Sequence, residues 1–115
     1  MRGYSPTLTH EAVIAMWGHY LGGASPESPE LQYAVPALAP DLGGVAPAHL
    51  TVAEHDVLRD EALEYARRLA DAGVSVGLDL VAGSVHGFDG LLPDSRIART
   101  AIDRQIIALA AALHA

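Results

Sequence analysis

Apolar side chains repeat on two different periods along this chain, and the periods divide it into elements. Between Thr9 and the Gly22-Gly23 pair, Val13, Trp17, Tyr20 and Leu21 share one face at helical spacing and predict a helix over residues 10–21. Thr9 suits its N-cap, Glu11 suits the positive end of the helix dipole, and Leu8 with Val13 fits a hydrophobic staple. Residues 24–47 hold five of the seven prolines, which argues against a regular helix or a central strand there. A connection of that length is usually functional, or it crosses between layers.

Residues 48–53, AHLTVA, are apolar without clean alternation, the pattern of a strand covered on both faces in a parallel sheet. A helix should follow, with Leu58, Ala62, Tyr65 and Leu69 on one face, Glu61, Glu64, Arg67, Arg68 and Asp71 elsewhere, and Gly73 as its stop. Glu64 and Arg68 are spaced for an i,i+4 ion pair worth about 0.3 kcal/mol. Residues 74–81 alternate: Val74, Val76, Leu78 and Leu80 face one way, Ser75, Gly77 and Asp79 the other, which predicts a half-buried strand near a sheet edge. The last helix is expected over 95–113, starting at Pro93-Asp94-Ser95, with Ile102, Ile106, Leu109 and Leu113 on one face.

Strand, helix and strand joined this way form a βαβ unit, with parallel strands and a right-handed crossover. The expected class is α/β: a parallel βαβ unit with one added helix at each end. The expected organisation is a single partial domain, with a helix and a Pro-rich connection over 1–47 and strand-helix-strand-helix over 48–115.

Composition narrows the function classes. Half of the 115 residues are hydrophobic, so a folded core is expected. The net charge is −7, with no basic stripe to neutralise phosphates, which argues against a nucleic-acid partner. Cysteine is absent, so disulfides and thiolate metal sites are excluded. No segment has the apolar length of a membrane span, and the first ten residues lack the apolar stretch of a signal peptide. A soluble, cytoplasmic protein is the expectation.

Candidate chemistry gathers at two places. In open α/β sheets, ligand-binding groups lie beyond the C-terminal ends of the strands. Asp56 follows the first strand, in AEHDVLRDE, and His86 follows the second, in AGSVHGFDG. Adjacent parallel strands ending in these residues place a carboxylate beside an imidazole, and the carboxylate then fixes the ring tautomer and frees the other nitrogen as a base. The competing readings are a helix N-cap for Asp56 and a polar loop residue beside Gly87 for His86.

Other side chains point less sharply. His49, His55 and His86 have no recognised ligand spacing, and no metal is expected. Glu54 reads as a packing or loop residue more than as an alternative acid. Asp60 and Glu61 suit the first helical turn. Trp17 and Tyr20 read as core or interface residues, and Phe88 fits either packing or a pocket wall.

The segment from about Pro40 onward resembles the closing part of esterases of the hormone-sensitive-lipase type, in the α/β-hydrolase fold. Asp56 matches that family's Asp before V/P-L-R-D-E, and His86-Gly87-Phe88 matches its H-G-F element. The order acid then base also fits that fold. Val57 departs from the Pro that the family often has, and Val35-Pro36 from its Ser-Pro. The resemblance implies hydrolysis of small carboxylic esters through a Ser-His-Asp triad, with Asp56 and His86 catalytic and no cofactor.

No G-x-S-x-G and no H-G-G-G occurs in these residues. Ser84 lies on the wrong element for a nucleophile elbow, and Ser5, Ser25 and Ser28 lack one. The serine is therefore expected from residues not present here, and the chain alone is expected to be inactive. The rival reading is a non-catalytic hydrolase-like protein serving as an oligomerisation or binding module. A two-stranded sheet is marginal in water, and its open edges invite pairing. A homo-oligomer is therefore expected, through a symmetric contact of the strand at 74–81 as in dimers of the resembled family, or else association with the missing N-terminal part.

Overall fold

The computed structural model describes residues 5–115. Helix α1 spans His10–Leu21 as the spacing predicts, with the Thr9 hydroxyl accepting the Ala12 N–H and Gly22 ending the helix in the left-handed conformation. The Pro-rich connection is less irregular than its prolines imply. Between Pro29 and Pro36 the chain has room for one helical turn, α2, Leu31–Ala34, and a 3₁₀ turn follows over Pro36–Leu38. Pro36 opens that turn, where its missing N–H is not needed.

Strand β1 covers Ala48–His55, two residues longer than expected. Helix α3 covers Arg59–Asp71. Strand β2 covers Val76–Val85, later than the 74–81 predicted from alternation. A short turn of helix, α4, Phe88–Leu91, precedes the last helix, α5, Arg96–Leu113, whose N-cap is Ser95. The two strands pair in parallel, as a βαβ unit requires.

Successive side chains of a strand point to opposite faces, so the sheet carries two cores. On one face Leu69 of α3 packs with Val74, Ala39 and Leu42, against Ala48, Leu50, Tyr65 and Val76. On the other, Ala98 and Ala101 of α5 pack with Ala53 and Phe88, against Val81 and Val85. Both alanines are fully buried, since their small side chains let the helix lie close to the sheet.

Three expectations are corrected. The face expected to be buried holds only at its start, where Val74 and Val76 pack in the core: Leu78 and Leu80 are each 48% exposed, whereas Asp79 on the other face is 8% exposed. The cause is that α3 lies mainly over β1, while α5 covers the face that carries Asp79 and supplies Arg104 to it. On α5 the buried stripe is made by Ala98 and Ala101, and Ile106, Leu109 and Leu113 are exposed. Finally, Glu64 pairs with Arg67 and not with Arg68. Arg68 instead donates to the carbonyls of Ala37 and Ala39, tying α3 to the Pro-rich connection.

Among the described residues, no helix is long and apolar enough to cross a membrane.

Candidate active site

Asp56 and His86 come together at one rim of the sheet. Asp56 directly follows His55, the last residue of β1, and His86 directly follows Val85, the last residue of β2. Because the strands are parallel, both ends lie on the same side. His86 Nδ1 is 2.8 Å from Asp56 Oδ2. A carboxylate can only accept, so Nδ1 carries the proton and Nε2 is left as the basic nitrogen of the neutral ring.

Asp56 is not the N-cap expected from its sequence position: that place falls to Leu58, which has no side-chain cap, and Asp56 instead uses its two oxygens for the turn before the helix and for the histidine. Oδ1 accepts the Leu58 N–H at 2.9 Å and shapes the turn into α3, while Oδ2 faces the imidazole. The backbone bond fixes the carboxylate before the histidine is considered. Burial separates the two partners: the Asp56 side chain is 11% exposed and that of His86 44%. A shielded acceptor holds the ring strongly, and an accessible ring can exchange protons with a ligand. The His86 carbonyl in turn accepts a hydrogen bond from the Thr7 hydroxyl at 2.9 Å, so the segment before α1 crosses to this loop.

The remaining candidates separate from this pair. Ser84 is buried, and its hydroxyl donates to the Val81 carbonyl at 2.6 Å. Phe88 lies in the core with Ala53, Ala98 and Ala101, which favours packing over a pocket wall. Asp60 and Glu61 occupy the first turn of α3. Trp17 and Tyr20 meet edge to face at 5.9 Å, and the Tyr20 hydroxyl donates to the Ala34 carbonyl. His49 and His55 stand six residues apart on β1, about 20 Å at the rise of an extended strand, so one ion cannot take both. No cluster of three or more His, Asp or Glu side chains suited to a metal ion occurs among the described residues.

Glu54 has a contact that its sequence position did not advertise. Its Oε2 accepts the Gly83 N–H at 2.6 Å and lies 3.6 Å from His55 Nε2. The signal that could have found it is Gly83, which lies beyond the strand predicted at 74–81 but inside the observed β2, where a glycine marks a bulge.

Depressions of about 620 Å³ between β1 and α5, and about 650 Å³ between α1 and α3, are lined by neither Asp56 nor His86. What the pair can do chemically is accept a proton at Nε2 and hold the resulting cation against a carboxylate.

Residues 2–90 match the family model described as alpha/beta hydrolase fold. Esterase LipI of Mycobacterium tuberculosis is 34% identical over 110 residues, covering 96% of this chain and 34% of that protein. Carboxylesterase NlhH of the same species is 36% identical over 114 residues, covering 96% of this chain and 35% of that protein. The crystal structure of esterase LipW from Mycobacterium marinum superposes with a TM-score of 0.88 at 41% identity, covering 96% of this chain and 34% of that one. The structure of a bacterial heroin esterase gives 0.85 at 37% identity, covering 95% and 35%. The chain thus spans about a third of the length of these relatives.

Proposed function

This chain belongs to the α/β-hydrolase fold family, among its esterases and lipases of the hormone-sensitive-lipase type, and from that premise we propose that Asp56 and His86 are the acid and base of a carboxylic-ester hydrolase. The observation that carries the reading is the 2.8 Å contact between Asp56 Oδ2 and His86 Nδ1 at the shared end of two parallel strands. The nucleophilic serine and the oxyanion donors belong to sequence outside these 115 residues. Residues 48–115 then form the part of the hydrolase domain that carries acid and base, and residues 1–47 form the helix and connection leading into it.

In this reading His86 Nε2 takes the proton of the serine hydroxyl as its oxygen bonds to the acyl carbon. The imidazolium is held by the Asp56 carboxylate. Nε2 returns the proton to the alkoxide as the ester C–O bond breaks, and the alcohol leaves. Water then repeats the sequence on the acyl-enzyme: Nε2 takes its proton, the acid is released, and the serine is reprotonated. The substrate class is a small carboxylic ester.

The test has two arms. The chain alone should hydrolyse p-nitrophenyl acetate no faster than free imidazole at matched concentration. With this sequence in place of the corresponding third of esterase LipW, the hybrid should hydrolyse the ester, and His86→Ala should abolish it. A folded hybrid whose hydrolysis survives His86→Ala would refute the assignment.

A second reading is favoured by the open sheet edges and the exposed Leu78 and Leu80: the chain associates through β2 with a second copy. Light scattering at micromolar concentration should give twice the chain mass of 12.0 kDa, and a stable monomer rejects it.

A further inference from the structure

The pairing of β1 with β2 changes step just before the candidate site. Partners are 28 residues apart from Ala48↔Val76 through Ala53↔Val81, and 30 apart at His55↔Val85. Two extra residues are thus taken up in β2 between Val81 and Val85. At the earlier spacing the residue opposite Asp56 is Ser84; at the later one it is His86. Side chains alternate with period two, so an insertion of two keeps each on its face while advancing its partner. The bulge therefore decides whether a serine or an imidazole meets the carboxylate.

Such a bulge takes backbone groups out of the strand ladder, and they need other partners. Two side chains supply them. From within, the Ser84 hydroxyl, on a residue 1% exposed, donates to the Val81 carbonyl at 2.6 Å. From β1, Glu54 Oε2 accepts the Gly83 N–H at 2.6 Å. Gly83 has φ +71°, a conformation that residues with a Cβ adopt at a cost. Glu54 thus grips the bulge at its left-handed glycine, three positions before His86.

We propose that Glu54 is a positioning residue for His86: by accepting the Gly83 N–H it holds the two-residue bulge that brings the imidazole opposite Asp56. The proposal rests on the reading of Asp56 and His86 as an acid–base pair. Charge is not what the contact needs; an acceptor oxygen at that reach is.

Proton NMR of the 115-residue chain tests it without requiring turnover. An imidazole Nδ1–H bonded to a carboxylate gives a far-downfield resonance, assigned here by its loss in Asp56→Ala. Glu54→Gln, which keeps an acceptor oxygen, should retain that resonance. Glu54→Ala should lose it to solvent exchange while far-ultraviolet circular dichroism stays at the wild-type level. If Glu54→Ala fails to fold, Glu54→Asp serves instead: its carboxylate is one methylene short of Gly83, and the resonance should again vanish. A folded Glu54→Ala or Glu54→Asp chain that keeps the resonance overturns the positioning role alone, as does its loss in a folded Glu54→Gln. Absence of the resonance in a folded wild-type chain overturns the Asp56–His86 pairing and the positioning role together.

Discussion

Arg104 of α5 reaches Asp79 of β2, with Nη1 2.6 Å from Oδ1, and so joins the last helix to the sheet by an ion pair of unequal exposure. The Asp79 side chain is 10% exposed and that of Arg104 58%. The second oxygen, Oδ2, has no hydrogen-bond partner among the described residues. Removing the arginine leaves a shielded carboxylate uncompensated. Arg104→Met should cost about 2 kcal/mol, below the roughly 3–5 kcal/mol of a fully buried pair because water reaches the guanidinium. Asp79→Leu added to it should recover most of the loss. Urea denaturation of the three proteins checks both statements.

Arg68 fastens the Pro-rich connection by donating to the carbonyls of Ala37 and Ala39. Arg68→Ala should leave α3 formed and release the connection. Limited proteolysis should then cut within residues 24–47 faster than in the wild type, with a stability loss of about 1 kcal/mol. An unchanged cleavage pattern would show that other contacts hold the segment.

The two capped helices should respond differently to loss of the cap. The Ser95 hydroxyl accepts the Ala98 N–H at the start of α5, a helix that contributes Ala98 and Ala101 to the core. Ser95→Ala should lower global stability by about 1 kcal/mol. Thr9 caps α1, whose only buried residue is Val13. Thr9→Ala should speed amide exchange within α1 with little effect on the global transition, and hydrogen exchange separates the two cases.

On the surface of α3, the hydrogen bond from Arg67 holds the Glu64 carboxyl below its ordinary value of 4.5, against an opposing effect of desolvation; the Arg67 and Arg68 charges add to the lowering. A depressed carboxyl stabilises the fold above its unfolded value, and the contribution fades as pH falls through the folded value. Glu64→Gln should therefore melt slightly below the wild type at neutral pH, and the gap should close in acid as pH falls through the lowered value of Glu64. A gap that persists in acid would mean that the glutamate acts by packing.

Much of this was legible in the sequence, because local rules and tertiary structure agree at those places. Thr9 and Gly22 bound α1 as capping chemistry requires, and Asp56 and His86 end the two strands of a βαβ unit that must be parallel. What the pattern could not show depends on neighbours. Alternation in β2 identifies two faces but not which of them α5 covers, so Asp79 is buried and Leu78 is not. The stripe of Ile106, Leu109 and Leu113 reads as a core face, yet the close approach of α5 is made by Ala98 and Ala101. The bulge at residues 82–84 was hidden because it breaks no local rule except at Gly83, and Glu54 has meaning only across strands.

The functional reading stands or falls on Asp56 orienting His86, and Asp56→Asn in the hybrid with esterase LipW probes that step alone. An amide can donate to Nδ1, which puts the ring proton on Nε2 and removes the base while side-chain volume is kept. With p-nitrophenyl acetate, kcat should fall about 10⁴-fold with KM within roughly threefold of the parent hybrid. A folded Asp56→Asn hybrid with kcat within tenfold of its parent would contradict the role assigned to this carboxylate.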